Sequence, residues 1–223
     1  MKELNEEKNL EVSGAIAKTE QFIEKNKKNI TIIAAAIIVV ALGIWAYVGL
    51  VAHPRQVRAA EDMFAAEQWF NQGEYEKALN GEGDMLGFIG VIDEYRNTKS
   101  GNLARYYAGI CQLNLGKYEE AAKLLKAYKG KDAMTGAEAL MLLGDCYAEM
   151  DNTTEAINYY KKAADKGDNM VVAPVALFKA AMELIQKGDT EEAVKCLEKV
   201  KYDYPQTPIA AEVDKYISYA ENK

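Results

Sequence analysis

The chain has one histidine, His53, among 223 residues, and only three cysteines, Cys111, Cys146 and Cys196. A lone histidine without Cys, Asp or Glu at ligand spacing makes no metal site. It also supplies no base to a Ser or Cys nucleophile, so a hydrolytic triad is excluded. Three cysteines are an odd number and none stands in a C-x-x-C pair, so neither a zinc site nor a disulfide framework is built from them. Their expected role is that of small buried apolar residues, and whether any two of them pair is left open by the sequence. Positive charge is also in deficit: 27 Lys and Arg stand against 34 Asp and Glu, a net charge of −7. Nucleic-acid binding needs basic patches, so that class of partner is excluded. No catalytic constellation is present and no cofactor or metal is implied. The expectation is a protein that is not an enzyme.

Charge is missing altogether from residues 30–52, ITIIAAAIIVVALGIWAYVGLVA. As a helix this run spans roughly 35 Å at about 1.5 Å per residue, enough to cross a hydrocarbon core about 30 Å thick. A cleaved secretory signal is shorter and ends in a small-x-small site. Here a leader of residues 1–29 precedes the run, and Leu50 stands two positions before Ala52. The run is read as an uncleaved anchor. Lys18, Lys25, Lys27 and Lys28 outnumber Arg55 and Arg58 across it, which favours a cytoplasmic N-terminus. Trp45 and Tyr47 suit an interfacial aromatic belt at the far end. The expected layout is a cytoplasmic tail over 1–29, an anchor over 30–52 and an extracytoplasmic domain over 53–223. The tail holds six lysines and six glutamates, so the net negative charge falls wholly on the outer domain.

That domain repeats itself. Four short turns align: GEYEKAL from Gly73, GKYEEAA from Gly116, DNTTEAI from Asp151 and GDTEEAV from Gly188. Five residues after each turn residue stands an alanine: Ala78, Ala121, Ala156 and Ala193. Seven residues before it stands a small residue: Ala66, Gly109, Gly144 and Ala181. Helices cross closely only where side chains are small, so the pattern predicts antiparallel helix pairs. A glycine at each turn permits the backbone that ends a helix, and Asp151 enters left-handed turns more readily than most residues.

These residues resemble the tetratricopeptide repeat, a helix–turn–helix solenoid unit of about 34 residues. The clearest copy is PVALFKAAMELIQKGDTEEAVKCLEKVKYDYP from Pro174, whose closing Pro205 falls where the family places one. The resemblance implies an all-α fold, a solenoid of about four helix pairs. The segment PIAAEVDKYISYAEN after Pro205 is expected to cap it, as exposed solenoid ends require. The first unit carries extra residues, NGEGDMLG from Asn80 to Gly87, where a broken second helix is expected to resume near Phe88 and run toward Tyr95. Its three glycines lack the strand and βαβ context of a phosphate loop, so a flexible insertion is expected. The triplets at Asn152 and Asn29 match a glycosylation sequon, a pattern common by chance.

In this family the partner groove is lined by first-helix residues. By phase, the resemblance places there Met63, Glu67 and Phe70; Tyr106, Ile110 and Leu113; Met141, Asp145 and Ala148; and Phe178, Met182 and Ile185. The set is apolar and aromatic with two carboxylates and no lysine or arginine, so it suits apolar peptide segments and not a C-terminal carboxylate. Methionines repack around different partners. Whether these positions face a ligand or bury against neighbouring helices, the insertion or the cap stays open at this level. The order of parts is similar to the YfgM-type ancillary subunits of the bacterial SecYEG translocon. That likeness implies an inner-membrane protein with a periplasmic repeat domain, whose partners are translocon subunits, periplasmic chaperones or secretory chains. The competing expectation is a scaffold or assembly factor of an envelope complex. An outer-membrane lipoprotein is disfavoured, because no cysteine follows the apolar run to receive lipid.

Overall fold

The computed structural model describes residues 2–222, with side chains from residue 24 onward. Met1 of the expected tail, Lys223 at the end of the expected outer domain, and the side chain of Lys18 from the cation cluster therefore lie outside the described set. The chain divides into two compact units, Met1–Pro54 and Arg55–Lys223.

The first unit is helix α1 (Lys2–Tyr47) followed by a π-helical turn, Val48–Ala52. Pro54 has no N–H to donate, and the ladder slips just ahead of it: His53 donates to the Val48 carbonyl, five residues back. The large apolar side chains from Ile32 to Val51 are exposed. Among the described residues, this is the one helical stretch long and apolar enough to cross a membrane.

The second unit is helical pairs. They are α2 (His53–Asn71) with α3 (Tyr75–Asn80), α5 (Lys99–Asn114) with α6 (Tyr118–Ala127), α7 (Thr135–Glu149) with α8 (Thr153–Gly167), and α9 (Ala173–Lys187) with α10 (Thr190–Asp203). The four turn residues Gly73, Gly116, Asp151 and Gly188 all take positive φ, at 76°, 72°, 57° and 89°. One hydrogen bond recurs in every turn, from the residue after it to a carbonyl five positions back. These are Glu74 to Trp69, Lys117 to Gln112, Asn152 to Tyr147 and Asp189 to Leu184, at 2.8–2.9 Å. This closes orphan carbonyls at each first-helix end. The alanines Ala78, Ala121, Ala156 and Ala193 are wholly buried, as are Ala66 and Ala181. A Cβ at Gly109 would sit 2.6 Å from Leu125, and one at Gly144 would sit 2.4 Å from the Tyr160 ring. Both glycines let paired helices touch.

The insertion breaks the first pair's second helix, which resumes as α4 (Phe88–Glu94). Between the two pieces the backbone forms a hydrogen-bonded hairpin of β1 (Gly81–Glu82) and β2 (Met85–Leu86), not a flexible connection. Gly81 is required there: at φ 85° a Cβ would lie 2.3 Å from the Met85 carbonyl oxygen. Tying the pieces together, Phe88 stacks on Tyr107 of α5 with ring centroids 5.3 Å apart. Arg55 donates to the Glu94 carbonyl, and Gln56 accepts from the Lys99 amide, so the first turns of α2 are fastened to the α4–α5 junction.

Helix α11 (Pro208–Glu221) packs on α9 and α10 and buries Val213 and Ala220. Thr207 caps it by accepting from the Ala210 amide. All three cysteines are free and buried. Burial pushes the Cys111 and Cys146 thiols up to about 12 and raises Cys196 as well, so they are inert apolar filling.

Before α7, the exposed Asp132 carboxylate accepts from the Met134 amide at 2.9 Å and from the Thr135 hydroxyl and amide at 2.7 and 2.6 Å. The Thr135 hydroxyl is the largest cause that lowers its pKa, to about 2 from 3.8. A depressed carboxyl stabilises the folded state above its unfolded value and loses that contribution as pH falls through the folded one. The expected result is that amide protection at Met134 and Thr135 holds down to about pH 4 and is lost between pH 4 and 2. An Asp132 resonance titrating near 4 would contradict it.

Candidate functional site

First helices α5, α7 and α9 frame a groove of about 470 Å³. Leu113 comes from the end of α5, Asp145, Ala148 and Glu149 from one face of α7, and Phe178, Lys179, Met182 and Glu183 from one face of α9; Tyr118 of α6 and Tyr160 of α8 complete it. On α9 the lining residues fall at i, i+1, i+4 and i+5, a strip two residues wide along a 3.6-residue helix.

Asp145 is the polar centre. Its Oδ1 accepts from Lys179 Nζ at 2.6 Å and from the Tyr160 hydroxyl at 2.7 Å. Burial raises the Tyr160 pKa far above the usual phenol range, with the Asp145 charge adding, so the ring always donates. Glu149 beside Tyr118 raises the phenol, first as an acceptor for its hydroxyl and then by its charge. Burial also raises the Glu183 carboxyl. The Thr153 hydroxyl works in the opposite sense, and Asp145 adds to the rise. The floor of the groove is aliphatic and aromatic, and Phe178 meets the edge of Tyr216 from α11 at 4.7 Å.

The Lys179–Asp145 pair is part exposed, so the ion pair itself contributes at most about 1 kcal/mol. Removing the acceptor strands a buried phenol as well. Asp145→Ala is expected to cost about 1–3 kcal/mol in urea unfolding. Asp145→Asn, which keeps an acceptor for Tyr160, is expected to cost less. Equal costs for the two would contradict this arrangement.

Of the residues expected to line a groove, Leu113, Asp145, Ala148, Phe178 and Met182 meet in this one. The others sit elsewhere. Tyr106 is 6% exposed, its ring 5.4 Å from Tyr107 and 5.3 Å from Tyr128. Ile185 and Met63 are buried in core clusters. Phe70 packs among Tyr75, Phe88 and Tyr107. Ile110 packs on the middle cluster and Met141 on the C-terminal one, both half-buried. Glu67 is half-buried, and burial raises its carboxyl. The physical reason is helical width: the residues that face the next pair and those that face the groove lie within one turn of each other.

Lys179, Glu149 and Glu183 also line this groove, beyond the uncharged and acidic residues expected there. The signal was there, since each follows directly on an expected lining residue. Tyr118 and Tyr160 come from second helices and left no such signal. Among the described residues, no group of three His, Cys, Asp or Glu is placed to hold a metal ion.

Models of the tetratricopeptide repeat match residues 92–133, 137–165 and 175–207. They cover the pairs from α5 to α10 and leave α2 and α3 unmatched. No curated protein matches the chain. Proteins of such repeats are typically interaction modules and not enzymes. The chain thus contains an all-α tetratricopeptide-repeat array, a protein–protein interaction module, together with one N-terminal helix long and apolar enough to span a membrane.

Proposed function

We propose that this is a membrane-tethered adaptor that binds segments of other proteins in the groove between α5, α7 and α9. The observation that carries the reading is that Leu113, Met182 and Phe178 remain half-buried around this groove, while Met63, Tyr106 and Ile185 have gone into the core. The apolar run over residues 30–52 serves as the anchor, residues 1–29 as a cytoplasmic tail and residues 53–223 as the extracytoplasmic array. The flanking lysines support that orientation. The layout favours a bacterial inner-membrane protein that holds chaperones or secretory chains near the translocon.

A scaffold that grips one folded partner is the second reading. The cover that Tyr216 gives Phe178 favours it, because it shortens the open apolar strip. In-cell crosslinking followed by affinity capture from mild-detergent membranes separates the two. Recovery of translocon subunits with a range of secretory chains or chaperones supports the adaptor. Recovery of one stoichiometric envelope protein, without translocon subunits, contradicts it and favours the scaffold.

A further inference from the structure

The groove carries three carboxylates, Asp145, Glu149 and Glu183, against one cation, Lys179. That cation is spent on Asp145 at 2.6 Å. The hydroxyls of Tyr118 and Thr153 act electrostatically on Glu149 and Glu183 respectively. Among the described residues, no lysine or arginine lies within salt-bridge distance of either. Both carboxylates tolerate this because Glu149 is exposed and Glu183 only half-buried, so water reaches them.

A bound segment changes that. Covering the groove removes water from Glu149 and Glu183, and a carboxylate left desolvated without a charged or strong donor partner is costly. Burial by the protein itself already acts on Glu183. A purely apolar occupant would therefore oppose its own binding at the polar edge while gaining on Leu113, Ala148 and Met182. An occupant that supplies a cation satisfies both parts. Arginine fits best, since its planar fork donates to carboxylates and lies flat against aromatic rings such as Phe178.

We infer that the groove selects extended protein segments with a lysine or arginine directed at Glu149 and Glu183, flanked by apolar residues that rest on Leu113 and Met182. This rests on the groove being the docking site, as proposed above. The net charge of −7 acts in the same direction at longer range, by speeding encounter with basic segments and repelling acidic ones.

Fluorescence anisotropy on the full chain in a non-ionic detergent tests it with three labelled twelve-residue peptides. They share the same leucines and phenylalanine and carry Arg, Gln or Glu at two central positions. The Arg peptide is expected to bind about tenfold tighter than the Glu peptide, with Gln between. The double substitution Glu149→Gln with Glu183→Gln keeps size and hydrogen bonding and is expected to bring the Arg and Gln peptides within about twofold. Met182→Asn, which removes apolar contact without adding charge, is expected to weaken all three. Equal binding of the peptides, or a preference that survives the double substitution, overturns the charge selection. If Met182→Asn still weakens binding in that case, the docking site stands alone. No binding of any peptide overturns both.

Discussion

Phe88→Ala is expected to lower the stability of the repeat region by about 3–5 kcal/mol in urea unfolding. The ring is fully buried and is the largest such side chain in the region. It stacks on Tyr107 at 14° and meets Phe70 edge-on at 6.2 Å, so its loss removes aromatic contacts from two neighbouring helices as well as its own buried area. The cost of a cavity depends on how far the surroundings collapse into it, and here they are held. The hairpin just ahead of Phe88 is locked by the close approach of Gly81 and Gly87, where a Cβ at Gly87 would lie 2.3 Å from the Gly81 nitrogen. A loss below about 1 kcal/mol would show that the broken helix after the hairpin is not part of the cooperative core. The test matters because repeat models match neither α2 nor α3, while the packing makes them an integral first pair.

Gly144→Leu is the second large effect, with an expected loss of about 3 kcal/mol, at the upper end for overpacking. The new Cβ would stand 2.4 Å from Cδ1 and Cε1 of Tyr160. The ring is 3% exposed and tied through its hydroxyl to Asp145, so relieving the clash means turning the ring out of its packing or separating α7 and α8. The same displacement carries the Tyr160 hydroxyl away from Asp145, and the groove should lose its polar centre along with stability. A Leu variant as stable as the parent would mean that α7 and α8 do not cross at Gly144.

Much of this was legible from spacing alone. The turn residues were readable because each has one backbone task, a positive φ, which glycine and, at Asp151, aspartate perform. Gly144 and Ala156 were readable because close crossing leaves no room for anything larger. The break after Asn80 was readable from surplus length. Its hairpin was not, since two-residue strands have no periodicity to detect. The groove was legible only in part. A single stripe at helical spacing finds Met182 and passes over Glu183, although the two share a face. It also treats Tyr106 and Ile185 as equivalent to Leu113, where the register between neighbouring pairs buries the first two. Register depends on interhelical packing, which no single helix encodes.

The groove's role in binding is tested most directly by a photocrosslinking amino acid placed in living cells at Met182 and, for comparison, at the exposed Glu198 of α10 and Lys123 of α6. Met182 is the probe position because Tyr106 is buried and Phe178 is shared with Tyr216. The expected result is abundant crosslinks to other proteins from Met182 and few from the other two sites. Equal yields from all three, or partners captured only through Glu198 and Lys123, would place the interaction surface elsewhere on the array.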